Sequence, residues 1–356
     1  MIYNYLIYYK MKRNFKDKKN KTYKKKKNDI RICTYNILAP MAVPKDSKHY
    51  ASCDKKCMKW ENRFKMIKDE ILNIDPEIIC LVEVQTDLAY IDIMPTFNKY
   101  GYHGFYIPQK AYWFNKESKK NIPDPRLEDN NFGVAILFKT KRFDPINFST
   151  IDYHKLVKKF LISSKLTKFN NKVMKKFAAI QLQLKDKLTK KEFFVCCVHL
   201  EHNPLFSDVK NLQAYLLMKV LSKISNSNEL PVVLCGDFNS HPKTAVYHGI
   251  TTGKSSNKFD DEKDLEYKLP FIKTPEIFNY SPYKSCFNQI FKKEPEFTNY
   301  TENFKNTLDY IFVNKNFKIN SALEGIDSKY KQKYKSFPND EFPSDHIMLS
   351  SDIQIK

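Results

Sequence analysis

Val232-Val233-Leu234-Cys235-Gly236-Asp237-Phe238-Asn239-Ser240-His241-Pro242 opens as an apolar run behind Pro231 and closes as a cluster of polar side chains. The first half has the length and composition of a buried strand. At Gly236 the apolar character stops, and a carboxylate and a carboxamide follow at Asp237 and Asn239. If strand geometry continued, these two side chains, two residues apart, would point to the same face. They would set an anionic metal or water ligand beside a neutral hydrogen-bonding group. The same residues also suit an ordinary Asp-Asn-Ser turn after a strand. The rest of the chain has to decide between the two.

The chain has 356 residues, 42% of them hydrophobic, with apolar runs spread along its length. That suffices for one large α/β domain or two ordinary ones. A formal net charge of +21 points to a polyanionic partner such as nucleic acid. Part of the surplus is compositional, because a chain rich in Lys, Asn, Ile, Tyr and Phe collects lysine on any solvated face. Cys80, Cys196, Cys197 and Cys235 lie in apolar runs, where a free thiol acts as a small hydrophobe. Cys53 and Cys57 have a ligand-like spacing, but no second Cys or His pair completes a zinc site. A reducing compartment and no structural zinc are expected. No apolar stretch approaches the length that crosses a bilayer.

Met1 to Tyr9 is aromatic and apolar, and Lys10 to Lys27 is overwhelmingly lysine, the reverse order of a secretory signal. Residues 1–29 are expected to form a disordered basic arm that adds non-specific phosphate attraction. The folded domain is expected over residues 30–356. The lack of acids before Asp17 also fits a mitochondrial presequence, but arginine is scarce. The cytoplasm, with the nucleus beside it, is the compartment expected.

Strands are expected over Ile30 to Ala39, Ile78 to Val84, Phe132 to Phe138, Phe177 to Leu184, Phe193 to Val198, Thr307 to Val313 and Ile347 to Ile353. Apolar residues at helical spacing predict helices over Trp60 to Asn73, stopped by Asp75-Pro76, and over Asp208 to Ile224. Asn115 to Asn131 and Gly249 to Pro275 read as polar surface segments. No repeat and no Gly/Ser-rich linker divides the chain, so one domain is the economical reading.

A shared habit then emerges. Apolar runs are interrupted or ended by a single polar functional group, giving Asn36, Glu83, His199, Asp237 with Asn239, Asp309, and His346. Any one of these alone is an ordinary surface or capping residue; their joint appearance at strand edges is not. Glu83 and Asp237 are hard oxygen ligands suited to Mg²⁺. The two histidines and two asparagines can grip phosphate oxygens. Asp309 could orient His346 through one ring nitrogen. There is no glycine-rich phosphate loop, no GxSxG, and no nucleophilic Cys or Ser beside a base. Metal-assisted attack of water on a phosphate ester remains.

These blocks resemble the endonuclease/exonuclease/phosphatase superfamily. Within it they resemble the deadenylase branch typified by the catalytic nuclease of the Ccr–Not complex. The matching stretches are Thr34-Tyr35-Asn36-Ile37-Leu38-Ala39, Cys80-Leu81-Val82-Glu83-Val84-Gln85, Val198-His199-Leu200, Gly236-Asp237-Phe238-Asn239-Ser240 and Pro343-Ser344-Asp345-His346. The longest runs from Glu294-Pro295-Glu296-Phe297-Thr298-Asn299-Tyr300-Thr301 through Phe304 and Lys305 to Leu308-Asp309-Tyr310-Ile311-Phe312. Tyr50, Cys53, Trp60 and Arg63 match a further block.

The resemblance implies a four-layer α/β sandwich, two mixed sheets packed face to face with helices outside. It implies that Glu83 holds one Mg²⁺, with Mn²⁺ a substitute, and that Asp237, Asn239 and His346 surround a second metal and the attacking water. Asp237 would align or deprotonate that water, Asn36 and His199 would hold the scissile phosphate, and Asp309 would support His346. Pro204 and Phe304 fall where the deadenylases sandwich an adenine; ordinary packing is the alternative for Phe304. The implied activity is 3′→5′ hydrolysis of RNA, foremost poly(A), releasing 5′-AMP, with Ccr–Not subunits as possible partners. The leucine-rich repeats of the docking branch have no match here. Nocturnin, the angel proteins and the 2′,5′-phosphodiesterases leave 2′,5′-oligoadenylate or a dinucleotide phosphate open as substrates. A silent RNA-binding scaffold is the rival of another class.

Overall fold

The computed structural model describes residues 13–43, 48–109, 113–114, 121–122, 131–153, 155–156, 178–226, 229–254, 280–326 and 333–356. Its main strands, in chain order, are Phe15–Lys16 (β1), Ile30–Asn36 (β2), Ile78–Gln85 (β3), Tyr102–Pro108 (β4), Phe132–Lys139 (β5) and Phe143–Asp152 (β6). Then follow Ala178–Asp186 (β7), Glu192–His199 (β8), Val232–Asp237 (β9), Lys284–Ser285 (β10), Asp309–Val313 (β11), Phe317–Leu323 (β12) and Leu349–Ile355 (β13). They make a seven-stranded sheet in the order β1-β12-β13-β2-β3-β5-β4 and a six-stranded sheet in the order β10-β11-β9-β8-β7-β6. Both are mixed: β2 runs parallel to β3, and β8 parallel to β9, among antiparallel neighbours.

Alternation along each strand explains the layering. Ile32, Cys80, Val82 and Ile136 of the first sheet meet Val195, Cys197, Val233 and Ile311 of the second in one inter-sheet core. The intervening residues Cys33, Tyr35, Ile79 and Leu81 face outward onto Ile67 and Ile71 of the helix Trp60–Ile74 (α1). On the far side Cys196, Val198, Leu234 and Phe312 face Val209, Leu212 and Leu216 of the helix Ser207–Ile224 (α2). The result is the expected four-layer α/β sandwich. α1 ends at Asp75, which takes a left-handed φ of +50° before Pro76.

Five of these strands are not among those expected. β1 and β10 are two residues each, β4 contains a glycine, β6 contains Pro145 and leaves much of its length exposed, and the alternation of β12 breaks at a register shift between Ile319 and Ser321. Of the two expected surface segments, residues 115–120, 123–130 and 255–275 lie outside the described residues. Gly249–Thr252 closes the helix Ala245–Thr252 (α3).

The arm expected over residues 1–29 needs correction in its second half; residues 1–12 lie outside the described residues. Phe15 pairs with Leu323 and Lys16 with Ala322, which adds β1 to the edge of the first sheet. The Phe15 ring is buried against Cys33 and Leu323, and the Arg31 guanidinium lies 3.8 Å from its centroid. Arg13 donates to the carbonyls of Glu324 and Met348, each at 2.7 Å. Lysine composition reads as disorder, yet one aromatic and one arginine anchor the segment. From Arg13 onward the described segment is part of the folded domain.

Candidate active site

β2 and β3 of one sheet, and β8 and β9 of the other, end at the same pole of the sandwich. Each delivers a polar group there. Glu83 sits at a break in the β3–β5 ladder, where Val82 opposes Val134 and Val84 opposes Gly133. Plain alternation would put Val84 on the face of Val82. Instead Val82 packs between the sheets and Val84 packs toward α1, because the extra residue switches the parity. Glu83 itself has φ +56°, a left-handed conformation that costs a non-glycine residue about 1–3 kcal/mol. The bulge turns its carboxylate onto Asn36: Nδ2 donates to Glu83 Oε1 at 3.0 Å, and the Ala39 amide donates to Oε2 at 3.2 Å.

The same Asn36 Nδ2 donates to Asp237 Oδ2 at 3.1 Å, so one buried amide ties together carboxylates from the two sheets. Asp237 opposes His199 in the β8–β9 register and Asp309 in the β9–β11 register. Its position depends on Gly236, whose φ is +132° and where a Cβ would meet the Val198 carbonyl oxygen at 2.0 Å. His199 Nε2 and His346 Nε2 each lie 3.8 Å from Asp237 Oδ2. His346 Nδ1 lies 2.6 Å from Asp309 Oδ2. Ligand-capable atoms of Asp237, Asp309 and His346 fall within 4.8 Å of one another.

Asn239 joins this group by a route other than strand alternation. β9 ends at Asp237, and Asn239 takes φ +47° in the turn that follows. Its backbone amide donates to Asp237 Oδ1 at 2.8 Å and its Nδ2 to the Leu200 carbonyl at 3.0 Å. Lys210 of α2 holds the Asn239 carbonyl through Nζ at 2.5 Å.

The electrostatics describe a buried site with surplus negative charge. Burial, with Asp345 next, raises the Glu83 carboxyl above its ordinary range. Burial, then Asp309, pushes Asp237 up to about 7 against the opposing pull of His346. Burial disfavours the His346 imidazolium, but the charges of Asp309 and Asp345 prevail and raise it well above the usual value. Asp309 Oδ1 is buried without a hydrogen-bond partner. Clustered, under-neutralised carboxylate oxygens fit a hard divalent cation.

Several supporting residues drew no individual role from the sequence, although they lie in or beside the quoted blocks. Arg63 is buried and donates to the carbonyls of Ile37 and Leu38, both at 2.8 Å, pinning Leu38 at φ +52° beside Asn36. Tyr50 OH and Asn299 Nδ2 donate to Asp345 Oδ2 at 2.8 and 3.2 Å. Thr298 Oγ1 accepts from the amides of Leu308 and Asp309 at 2.8 and 3.0 Å, which fixes the start of β11. Ser344 Oγ donates to the Asn36 carbonyl at 2.7 Å.

Pro204 and Phe304 are not buried with this group but lie on exposed segments. Pro204 opens the 3-10 turn Pro204–Phe206, capped by Asn203. Phe304 precedes the second strand of the hairpin Asn299–Tyr300/Lys305–Asn306 and is 42% exposed, so core packing is not its role. Cys53 and Cys57 enter no metal-ligating group among the described residues.

A four-layer sandwich with this polar edge defines the class: the chain belongs to the endonuclease/exonuclease/phosphatase family, whose profile matches residues 33–346. Its particular likeness is to the CCR4-Not complex 3′-5′-exoribonuclease subunit Ccr4 of Aspergillus niger, 29% identical over 365 residues that cover 92% of this chain and 52% of that protein. The Saccharomyces cerevisiae Ccr4 subunit is 28% identical over 339 residues, covering 91% of this chain and 38% of that protein. The chain thus spans about half, or less, of the length of these relatives. Among solved structures, the fold is similar to ANGEL2, a 2′,3′-cyclic phosphatase, with adenosine-2′,3′-vanadate (TM-score 0.75, 21% identity, 97% of this chain and 99% of that one). It is also similar to the human Nocturnin catalytic domain with bound sulfate (TM-score 0.63, 22% identity, 97% and 98%).

Proposed function

We propose that the chain is a Mg²⁺-dependent 3′→5′ exoribonuclease that shortens poly(A) and releases 5′-AMP. The observation that carries this reading is the single Asn36 amide that ties Glu83 to Asp237, with His199 and His346 each 3.8 Å from the same carboxylate oxygen. The likeness to Ccr4 exoribonuclease subunits supports the choice of substrate.

Glu83 would hold one Mg²⁺, and Asp237, Asn239 and His346 would surround a second; Mn²⁺ has the same hard-ligand preference. The bound cation supplies charge stabilisation at the phosphate and acidifies water. Asp237, whose Oδ2 faces both His199 and His346, is suited to align the attacking water and take its proton. Asn36 and His199 are suited to hold the non-bridging oxygens as charge develops. Asp309 fixes the His346 tautomer. Pro204 and Phe304 would clasp the terminal adenine from their exposed segments. RNA is the partner, subunits of a Ccr–Not-type scaffold are the proposed protein partners, and the cytoplasm or nucleus is the compartment.

The test uses purified protein, Mg²⁺ and a 5′-labelled RNA with a 3′ oligo(A) tail, with Asp237→Ala and EDTA as controls. A ladder that shortens and stops at the tail boundary is the expected result. A ladder running through mixed sequence would replace deadenylation with general 3′ exonucleolysis. Silence on RNA, with cleavage of 2′,5′-oligoadenylate or a dinucleotide phosphate, would overturn the proposal.

A further inference from the structure

The strands whose C-terminal ends carry Asn36, Glu83, His199 and Asp237 have opposite ends with a different chemistry. Register locates them. Lys16 opposes Ala322, Ala322 opposes Ser351, and Ser351 opposes Ile32. β1 runs antiparallel to β12, so past Lys16 the chain heads away from the Asn36 end of the sheet. The turn that follows emerges near the level of Ile30. Six residues of strand separate that level from Asn36, about 20 Å, and three strand spacings add about 14 Å sideways.

This turn and the segment returning to β2 carry Lys18, Lys19, Lys21, Lys24, Lys26 and Lys27, all exposed. Ion pairs in this segment join Lys16 to Glu324 and Lys25 to Glu77. The six exposed lysines make none among the described residues. The nearby acids are engaged: Asp17 Oδ1 accepts from the amides of Lys19 and Lys21, and Asp29 accepts from Tyr23 OH and Asn320 Nδ2, both at 2.7 Å.

The segment is also held in place. Lys16 bridges to Thr22, and the Tyr23 amide donates to the Phe15 carbonyl at 2.7 Å. Other strand connections add charge at the same pole: Lys141 follows β5, Lys190 lies between β7 and β8, and Lys315 follows β11, all three exposed. Asp186 beside them is taken by Arg142 and Thr189.

We infer that this lysine pole is a second RNA-binding surface, which grips the phosphate backbone of the same RNA whose 3′ end lies at the proposed catalytic site. The inference rests on the RNA reading proposed above. Lysine supplies point charges without the planar fork that reads bases, so the contact is independent of sequence and strongly dependent on salt. A membrane is the weaker match, because these lysines sit on turns and strand ends rather than on an amphipathic helix.

The experiment measures binding by fluorescence anisotropy in EDTA, where no hydrolysis occurs, using long single-stranded RNA of mixed sequence and a dinucleotide. Wild type is compared with the quadruple variant K18Q/K19Q/K21Q/K24Q. The variant is expected to bind long RNA at least tenfold more weakly. Its slope of log affinity against log salt should be shallower by about 0.7 for each lysine engaged. Turnover of the dinucleotide in Mg²⁺ should be unchanged. Equal affinity and equal slope for the two proteins would overturn the inference. So would an unchanged RNA affinity coupled with loss of binding to vesicles containing phosphatidylserine. If wild type binds RNA at this pole but hydrolyses none, the catalytic reading fails while the binding surface stands.

Discussion

His346 Nδ1 lies 2.6 Å from Asp309 Oδ2, a buried contact that leaves the other ring nitrogen turned toward Asp237. A carboxylate at this distance fixes the Nδ1–H tautomer, so Nε2 is the atom offered to the site. Asp309→Asn keeps the shape and removes the charge. It should lower kcat by about 10²–10⁴-fold with little change in KM. In the metal-free protein, imidazole NMR should show His346 losing its proton at lower pH than in wild type. A variant with wild-type kcat would reduce Asp309 to a structural residue.

Asp237 gives a prediction whose sign follows from linkage. Its folded-state value, about 7, lies above the ordinary carboxylate value of 3.8. A group shifted this way contributes stability fully below 3.8 and loses it as pH rises through about 7. Metal-free wild type should therefore weaken between about pH 4 and pH 7 relative to Asp237→Asn, by on the order of 2 kcal/mol or more. Mg²⁺ should restore wild type and stabilise the variant less, since the variant keeps Glu83 and loses the Asp237 carboxylate, and Mg²⁺ affinity should climb with pH through the same window. Thermal melts with and without Mg²⁺ at several pH values check this. Parallel curves for the two proteins would contradict it.

Gly236 is the backbone condition for the site. Its φ is +132°, and any Cβ there would lie 2.0 Å from the Val198 carbonyl oxygen, which leaves no space for a side chain. Gly236→Ala should destabilise by about 3 kcal/mol or more and abolish turnover by displacing Asp237. Gly101 has φ +81° with nothing within 4 Å, so Gly101→Ala carries only the conformational cost, about 1 kcal/mol. Denaturant titration of the pair separates steric clash from backbone preference.

These cases show what the sequence could disclose. Strands interrupted by a single polar residue announced Asn36, Glu83, His199, Asp237 and Asp309, because an apolar run does not accept a carboxylate without cause. The bulge at Glu83 was hidden, since Val82 and Val84 look like members of one alternating set until the partner strand shows the skipped position. Asn239 was paired with Asp237 for the wrong reason: spacing suggested a shared strand face, and a turn hydrogen bond brings them together. Arg63, Thr298 and Ser344 act through backbone carbonyls and amides of other segments, from ten to some three hundred residues away, a relationship that periodicity cannot carry.

Phe304 separates a binding role from packing. Being 42% exposed, it can be truncated at little cost to the fold. Phe304→Ala should retain wild-type stability and weaken poly(A) turnover by roughly 1–3 kcal/mol of lost stacking, and Phe304→Tyr should restore it. Pro204→Ala should act in the same direction. Unchanged kcat/KM on both A-tailed and mixed-sequence RNA would remove Phe304 from the substrate site.

The last prediction concerns the arm, where composition and structure disagree. A disordered lysine tail would tolerate any substitution within about 0.5 kcal/mol. Arg13, however, has a side chain 6% exposed and lies 3.6 Å from Glu70, in addition to its two carbonyl contacts. Burial pushes Glu70 up to about 8, so the pair is held in a dry setting where losing one partner is costly. Arg13→Ala and Phe15→Ala should each lower stability by about 2–4 kcal/mol, the first by leaving buried acceptors unmet and the second by opening a cavity under Arg31. Hydrogen exchange should show the Tyr23 amide, which donates to the Phe15 carbonyl, protected in wild type and released in both variants. Full stability in both would return residues 13–29 to the tail that their composition suggests.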